Sequence, residues 1–283
     1  MKKIIKDRTF GEERALYNLC DAEVVACRFE GEEDGESALK ECRRVIVDGC
    51  AFILRYPLWH AKEFTMKNSE MALTARAPIW YSEDGLIDNC RIESVKTLRD
   101  CKNIKIKNSN IVSEEFGWKC DGIDIYDSEI ESVYFLFDSK NVNIENLKMK
   151  GKYSFQYTEN IHIKNSYLDT KDAFWHTKNL TVENSTVRGE YLGWFSEGLT
   201  LINCHISGTQ PLCYCKNLKL INCTMEDTDL SFEYSDVEAT VVGNIVSVKN
   251  PASGYIKADS IGDIILENSV IETKCKIETK QGE

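Results

Sequence analysis

A repeat of 19 residues constrains this chain more than any other feature of its sequence. Asparagine or aspartate recurs at this interval at Asn89, Asn108, Asp127, Asn146, Asn165, Asn184, Asn203 and Asn222. Looser repeats extend the series to Ala26, Gly49 and Asn68 before it and to Asn244 and Asn268 after it. A constant period near twenty residues is typical of a solenoid, in which each repeat forms one coil stacked on the next.

Alternating apolar residues lead into each of these asparagines, and a second short apolar segment follows. Ile104, Ile106 and Ile111 surround Asn108 in this way. Period-two alternation predicts a strand with one buried face, and asparagine tolerates the left-handed backbone of a tight corner. A third segment, eight to twelve residues past the corner, completes the coil. We therefore predict an all-β chain, a parallel β-helix with three short strands per coil, roughly 12 coils and a ladder of hydrogen-bonded asparagines.

The repeat runs through nearly the whole chain and favours one domain rather than two. Residues 1–21 are expected to form an N-terminal cap, with a short helix or an irregular segment over residues 10–20. The β-helix is predicted over residues 22–272, followed by a polar tail at 273–283. Residues 30–36 form an acidic insertion, for which a solvated loop is a better interpretation than a calcium site.

Charge and hydropathy limit the partners of the chain. A net charge of -11 argues against nucleic acid, because phosphate binding needs clustered Lys and Arg. No apolar segment approaches the roughly 18 residues of a membrane span, and the N-terminus lacks the apolar core of a signal peptide. We therefore expect a cytoplasmic protein without a nucleic-acid or membrane partner.

The 12 cysteines predict packing rather than metal chemistry. Nine of them share two positions of the repeat with serine, threonine or alanine, either directly after the corner or seven residues before it. Free cysteine behaves as a small hydrophobic residue, and cytosolic thiols stay reduced. With only 4 histidines, we expect no metal site and no cofactor.

Aromatic residues fill two adjacent positions of the repeat, which we call the tenth and eleventh columns after their distance from the corner. The tenth column contains Trp59, Trp80, Arg99, Trp118, Phe137, Gln156, Trp175, Trp194, Cys213 and Phe232. The eleventh contains His60, Tyr81, Asp100, Lys119, Asp138, Tyr157, His176, Phe195, Tyr214 and Glu233. The ninth and twelfth positions are apolar or small and suit the interior, so both columns are expected to face outward. A buried ladder is the alternative, because a one-residue error in strand phase exchanges the two faces.

An exposed track of rings and charged groups suits a carbohydrate, with rings lying on sugar faces and polar groups binding hydroxyls. The predicted ligand-binding residues are Trp59, His60, Trp80, Tyr81, Arg99, Trp118, Trp175, His176 and Trp194. The same track could instead be a protein interface, since Trp and Tyr dominate interface energetics. A non-catalytic scaffold that forms a homodimer through the track is therefore the alternative function.

Three charged residues in the eleventh column form a candidate catalytic set. Asp100 and Asp138 are two coils apart, about 9.6 Å at ~4.8 Å per coil, near the separation of roughly 6.5–9.5 Å found in inverting glycosidases. Lys119 lies between them, and Arg99 is adjacent to Asp100. The set could cleave a glycan by acid and base catalysis, or by proton abstraction at Lys119 in a lyase. An ordinary ion pair between neighbouring coils is the favoured alternative.

Coils of three strands with an asparagine corner resemble the pectate-lyase-like superfamily of right-handed β-helices, over residues from about 22 to 272. More narrowly, segments 9–16, 35–40, 56–60 and 75–82 are similar to a bacterial family catalogued as domain of unknown function 3737. The superfamily resemblance implies a right-handed coil, and its lyases and hydrolases act on acidic polysaccharides. Their adjacent aspartates, in Asn-x-Asp or Asp-Asp-x contexts, do not occur in this sequence.

Overall fold

The computed structural model describes residues 3–31 and 35–280, and these residues are all-β. The chain winds as a parallel β-solenoid of about 14 coils of about 19 residues, rather than the roughly 12 coils expected. A 3₁₀ turn at Leu73–Ala75 is the one helical element that lies wholly within the described residues. Two compact units are formed, by residues 1–143 (unit 1) and 144–283 (unit 2).

The strands are short, and most belong to one of two sides of the coil. Unit 1 contains β1 (Lys3–Lys6), β2 (Thr9–Phe10), β3 (Cys20–Val25), β4 (Arg28–Phe29), β5 (Arg43–Asp48), β6 (Ala51–Phe52), β7 (Lys62–Lys67), β8 (Glu70–Met71), β9 (Glu83–Asp88), β10 (Arg91–Arg99), β11 (Lys102–Lys107), β12 (Asn110–Trp118), β13 (Asp121–Ser132) and β14 (Tyr134–Phe135). Strand β15 (Lys140–Lys152) includes the division between the units. Unit 2 contains β16 (Glu159–Lys164), β17 (Tyr167–Lys171), β18 (Lys178–Glu183), β19 (Thr186–Arg188), β20 (Thr200–Ile202), β21 (His205–Ser207), β22 (Leu218–Glu226), β23 (Asp236–Val241), β24 (Asn244–Lys249), β25 (Ser253–Ala258), β26 (Ser260–Ile265) and β27 (Lys276–Thr279).

Strands pair in parallel with the equivalent strand of the next coil, so residues 19 apart become vertical neighbours. Ile104 pairs with Ile123 between β11 and β13, and Ile161 pairs with Leu180 between β16 and β18. Their side chains are at most 2% exposed. The core of each unit is therefore a set of apolar columns inside the coils, as the alternation predicts.

The corners have the left-handed conformation expected of asparagine, and each regular coil contains more of them than the sequence indicates. In the coil that starts at Asn89, φ is 52° at Asn89, 57° at Leu98, 50° at Asp100 and 52° at Asn103. Side-chain hydrogen bonds link some corners directly, as from Asn89 Nδ2 to Asn68 Oδ1 at 2.8 Å. Asn108 donates to the Asp88 carboxylate instead, so the asparagines do not form one continuous ladder.

At both ends of the chain, strands lie in the segments for which the sequence predicted a cap and a tail. Residues 12–18 form a bend and turns, which is the irregular one of the two expected arrangements. Strands β1 and β2, inside the predicted cap, pair with β3 and β4 of the next coil. Strand β27, inside the predicted polar tail, pairs with β25. Backbone pairing thus extends the stack into both segments. Residues 32–34 of the acidic insertion lie outside the described residues.

All 12 cysteines are free thiols, and ten of them are buried. Next to the corners they are equivalent to serine: the Cys90 amide donates to Ser109 Oγ at 3.1 Å, and the Cys27 amide donates to Cys50 Sγ at 3.4 Å. Burial raises the pKa of the Cys42 thiol to about 12. The buried thiols fill space in the core, and the raised pKa makes Cys42 poorly suited to nucleophilic chemistry, because the thiolate is the reactive form.

Candidate functional site: an aromatic face on the third side of the coil

The third segment of each coil bends so that two consecutive side chains point outward. Leu98 and Asp100 are both left-handed, and Arg99 lies between them. Ninth-position Leu98 is 1% exposed and twelfth-position Cys101 is 0% exposed. The tenth-column tryptophans are half-buried, whereas eleventh-column Tyr157 is 51% exposed. The two columns, which together we call the aromatic face, therefore face outward and do not form a buried ladder.

All five tryptophans are held by the same hydrogen bond. Each indole Nε1 donates to a backbone carbonyl of the next coil: Trp59 to Ala77 at 2.7 Å, Trp80 to Lys96 at 3.2 Å, Trp118 to Tyr134 at 3.3 Å, Trp175 to Tyr191 at 2.6 Å and Trp194 to Gln210 at 2.8 Å. The indole N–H groups are therefore occupied by the fold. They fix the rings in place rather than offering donors to a ligand.

Two of the three residues that interrupt the tenth column keep its interactions, whereas the third, Cys213, is buried. The Arg99 guanidinium lies 5.2 Å from the Trp80 ring centre and 5.9 Å from that of Trp118, and it fills the gap between them by cation–π contact. Gln156 Nε2 donates to the Asp172 carbonyl at 2.9 Å, which is the bond made by tryptophan in other coils. Arg99 and Gln156 therefore replace an aromatic ring without breaking the column.

Rings in both columns stack on one another along the coil axis. In unit 1, Trp59 and Trp80 have ring centres 5.2 Å apart and an interplanar angle of 5°. In unit 2, the corresponding values for Trp175 and Trp194 are 5.4 Å and 7°. The longest stack is in the eleventh column of unit 2, where Tyr157, His176, Phe195 and Tyr214 follow one another with centres 4.8–5.1 Å apart.

This stacking changes what the face can offer a ligand. Coils about 4.8 Å apart bring equivalent rings to stacking distance, so the ring faces cover each other and the ring edges remain outward. The expectation that rings lie flat on sugar faces is therefore wrong for the stacked rings. Their edges carry the positive end of the ring quadrupole and attract oxygen atoms.

The predicted register is wrong in one coil. Phe232, expected in the tenth column, is 0% exposed and has a φ of 65°, as ninth-position residues do. Glu233, expected in the eleventh column, is replaced there by Tyr234, whose ring centre is 5.8 Å from that of Tyr214. The reason is one additional residue: the Cys215 amide donates to Ser235 Oγ, 20 positions away rather than 19.

A shallow groove borders the aromatic face in unit 1. Its volume is about 260 Å³, and it is lined by Tyr56, Trp59, Arg76, Ala77, Trp80, Val95 and Lys96. Arg76 is exposed, and Lys96 pairs with Glu115 at 3.1 Å. The groove therefore combines aromatic walls with a cation at its rim.

The candidate catalytic residues lie on three consecutive coils of unit 1, as predicted. The Asp100 side chain is 39% exposed and lies 3.6 Å from Arg99, while Lys119 and Asp138 are exposed. In the described part of the chain Lys119 forms no ion pair within 4.0 Å, so the expected ion pair with Asp100 or Asp138 does not form. The structure therefore shows three charged groups on an open surface. Their catalytic role remains a prediction.

The predicted histidines belong to different units and act as members of the ring stacks. His60 stacks on Tyr81 with centres 5.0 Å apart, and His176 lies 4.9 Å from Tyr157. Among residues 3–31 and 35–280, no three His, Cys, Asp or Glu side chains are grouped so that they could hold a metal ion. No helix in these ranges has the length and hydropathy needed to cross a bilayer.

Sequence analysis missed one carboxylate at the border of the aromatic face. Asp172 precedes Trp175 by three residues and is only 7% exposed. Burial raises the pKa of the Asp172 carboxyl group, Lys171 and Lys152 oppose this effect, and Glu190 adds to it. The sequence gives no indication of it, because the neighbouring coils carry Tyr153 and Tyr191 at the same position.

Parallel coils of three segments, with an outward aromatic face on one side, define the molecule as a parallel β-helix protein. Over residues 3–278 the chain matches the family described as protein of unknown function (DUF3737), and it belongs to that family. The narrower resemblance noted in the sequence is thereby confirmed. No curated protein shows significant sequence similarity to it.

Solved structures with a similar course of the chain are other β-helix proteins. The surface adhesin PfbA of Streptococcus pneumoniae is 8% identical, with a TM-score of 0.40 and coverage of 93% of this chain and 81% of the adhesin. The A-module of the Azotobacter vinelandii mannuronan C-5 epimerase AlgE4 is 10% identical, with a TM-score of 0.34 and coverage of 96% and 86%. The catalytic domain of a GH87 alpha-1,3-glucanase is 10% identical, with a TM-score of 0.40 and coverage of 99% and 64%. Likeness at this level does not bear on activity.

Proposed function

We propose that the protein binds a glycan along its aromatic face. The observation that carries this proposal is the outward, fixed arrangement of two adjacent ring columns, with polar and charged side chains interleaved among the rings. Positive ring edges face sugar oxygens, and groups such as Arg99 and Asp100 are available to hydroxyls. Rings held by backbone hydrogen bonds lose little freedom on binding, which lowers the entropic cost of association.

A matched pair of tyrosines tests the proposal. Tyr157 is 51% exposed on the aromatic face, and Tyr167 is 43% exposed on strand β17, off the face. We expect soluble oligosaccharides to quench tryptophan fluorescence, and Tyr157→Ala to weaken this binding about tenfold, or about 1.4 kcal/mol. Tyr167→Ala should leave it unchanged. Equal effects of the two substitutions, or no quenching by any neutral or acidic oligosaccharide, would contradict the proposal.

Self-association through the same face is the second candidate, and one observation favours it. Phe195 is 44% exposed within a continuous stack of rings, and large apolar patches often mark interfaces. In this case light scattering would give a dimer mass, and Phe195→Glu would return the monomer. A wild-type monomer at all concentrations would exclude this candidate.

Catalysis on a bound glycan by Asp100, Lys119 and Asp138 is a separate hypothesis with its own test. Replacing both aspartates with asparagine should abolish turnover of a bound oligosaccharide and preserve its binding. Unchanged turnover in the double variant would remove the two aspartates from any mechanism.

A further inference from the structure

We propose that Asp172 anchors a subsite for a neutral sugar residue on unit 2, where its carboxylate accepts hydrogen bonds from two adjacent sugar hydroxyls. The inference rests on the proposed function. It adds to that function a position on the face, a class of sugar and a specific contact.

The carboxylate of Asp172 is isolated from direct hydrogen-bond partners in the described part of the chain. Asp172 is 7% exposed, and within the described residues its side chain has no hydrogen-bond or ion-pair partner. Neither carboxylate oxygen is fully sealed from solvent. Burying a charged group without a partner costs free energy, and most buried polar groups in proteins are satisfied. An accessible, unsatisfied acceptor at the border of a ligand-binding face is suited to a ligand that brings its own donors.

Charged groups on three coils surround Asp172. Lys171 directly precedes it in its own coil, Lys152 lies on the preceding coil and Glu190 lies on the next coil. Lys171 is occupied by an ion pair with Glu190, and Lys152 lies over the Tyr153 ring at 4.4 Å. Both lysines therefore have contacts of their own, while the Asp172 carboxylate is left for hydroxyl donors.

The ring columns next to Asp172 are uncharged. On the coils around Asp172 the tenth column carries Gln156, Trp175 and Trp194, and further along unit 2 it carries Cys213 and Glu233. The eleventh column beside it has Tyr157, His176, Phe195 and Tyr214, with no Asp, Glu, Lys or Arg. Unit 1 differs, since its columns include Arg99, Asp100, Lys119 and Asp138. A carboxylate beside uncharged rings favours a sugar that carries hydroxyls and no acidic group.

Calorimetry on the full chain at pH 7.5 tests the inference. The probes are neutral hexasaccharides of glucose, mannose, galactose and xylose, with a galacturonate hexamer as the acidic comparison. We expect a neutral probe to bind, and Asp172→Asn to weaken it at least tenfold, because hydrogen bonds to charged groups contribute more than those to neutral ones. Asp169→Asn, which removes the same charge three residues earlier in the coil, is the control and should bind as wild type.

The pH dependence of binding gives a second readout that needs no variant. A protonated carboxyl group accepts fewer hydrogen bonds, so wild-type affinity for the neutral probe should fall as the pH is lowered through the pKa of Asp172. That pKa lies above its ordinary value of 3.8. The Asp172→Asn protein should show no such fall.

Three outcomes would overturn the inference. Tight binding of the acidic hexamer alone would support the proposed function and contradict a neutral subsite. Wild-type affinity of folded Asp172→Asn for a neutral probe would exclude the carboxylate contact. Binding of no probe would contradict the proposed function, and the subsite with it.

Discussion

Residues at the corners show how a single side chain can stabilise the turn between two strands of a coil. Asn108 has a φ of 50°, a conformation that costs most L-residues about 1–2 kcal/mol and asparagine less. Its amide also donates to Asp88 at 2.8 Å. One residue type therefore provides both the backbone geometry and a link to a neighbouring coil.

Substitution of Asn108 separates these two contributions. We expect Asn108→Ala to lower the free energy of unfolding by about 1 kcal/mol, because alanine resists the left-handed conformation. Asn108→Gly loses the same side-chain bond but adopts this conformation freely, so it should be the more stable variant. Urea unfolding measures both, and a glycine variant less stable than the alanine variant would show that the left-handed conformation is not what limits stability at this corner.

Asp172 should make stability depend on pH in an unusual direction. Because the fold raises its pKa, the folded state holds the proton more tightly than the unfolded chain does. The contribution of Asp172 to stability is therefore greatest below its ordinary pKa of 3.8, and it decreases as the pH rises through the folded-state pKa. Urea unfolding between pH 4 and 8 should show Asp172→Asn gaining stability relative to wild type as the pH rises. A constant difference would contradict the shift.

Within strands, the inward columns are matched in size from coil to coil. Gly85 occupies an inward position of β9 between Phe64 of β7 and Ile104 of β11. A methyl group at Gly85 would lie 2.4 Å from the Phe64 ring, far closer than atoms pack. The large ring of one coil therefore requires the absence of a side chain in the next.

A double-mutant cycle tests this size match. Gly85→Ala should destabilise the protein by about 1–3 kcal/mol through overpacking. In the presence of Phe64→Val, which removes the ring, the same change should cost less, and the difference is the coupling between the two positions. Additive effects in urea unfolding would show that the two side chains do not share space.

The strands were predictable because alternation and a constant period are local properties of the sequence. The additional left-handed position at Leu98 was not, since leucine carries no sign of a bend that neighbouring coils impose. The same applies to Phe232, which one additional residue moves inward. The charged groups that act on Asp172 lie on three coils, and no pattern in its own coil indicates its burial.

For the molecule as a whole, the distribution of thiols provides a test of the fold. Ten cysteines are buried, Cys20 is exposed and Cys275 is intermediate. Burial raises the pKa of Cys275 to about 11, which lowers its reactive thiolate fraction at pH 8.

A disulfide reagent at pH 8 should therefore modify one thiol promptly, a second slowly and the other ten only on unfolding. Cys20→Ser should remove the prompt phase. Prompt reaction of several thiols in the native protein would show that the cysteine columns are not enclosed.

The repeat predicted the architecture of the chain, but it did not predict how far the stack of coils extends. Segments 1–21 and 273–283 lack the regular period, so the sequence indicated a cap and a tail. Pairing of β1 with β3 and of β27 with β25 depends only on backbone groups. Such pairing can continue in segments where the side chains no longer follow the repeat.

The stacked tryptophan pairs allow the unfolding of each unit to be followed separately by spectroscopy. Two nearly parallel indoles 5.2 Å apart in unit 1, and two more 5.4 Å apart in unit 2, lie close enough for their electronic transitions to mix. Such mixing shifts the near-ultraviolet absorption band of the pair and lowers its intensity, and both effects are lost once the rings separate. Replacing Trp80 or Trp194 with phenylalanine would remove one coupled pair at a time, so melting of either half could be followed without an added label.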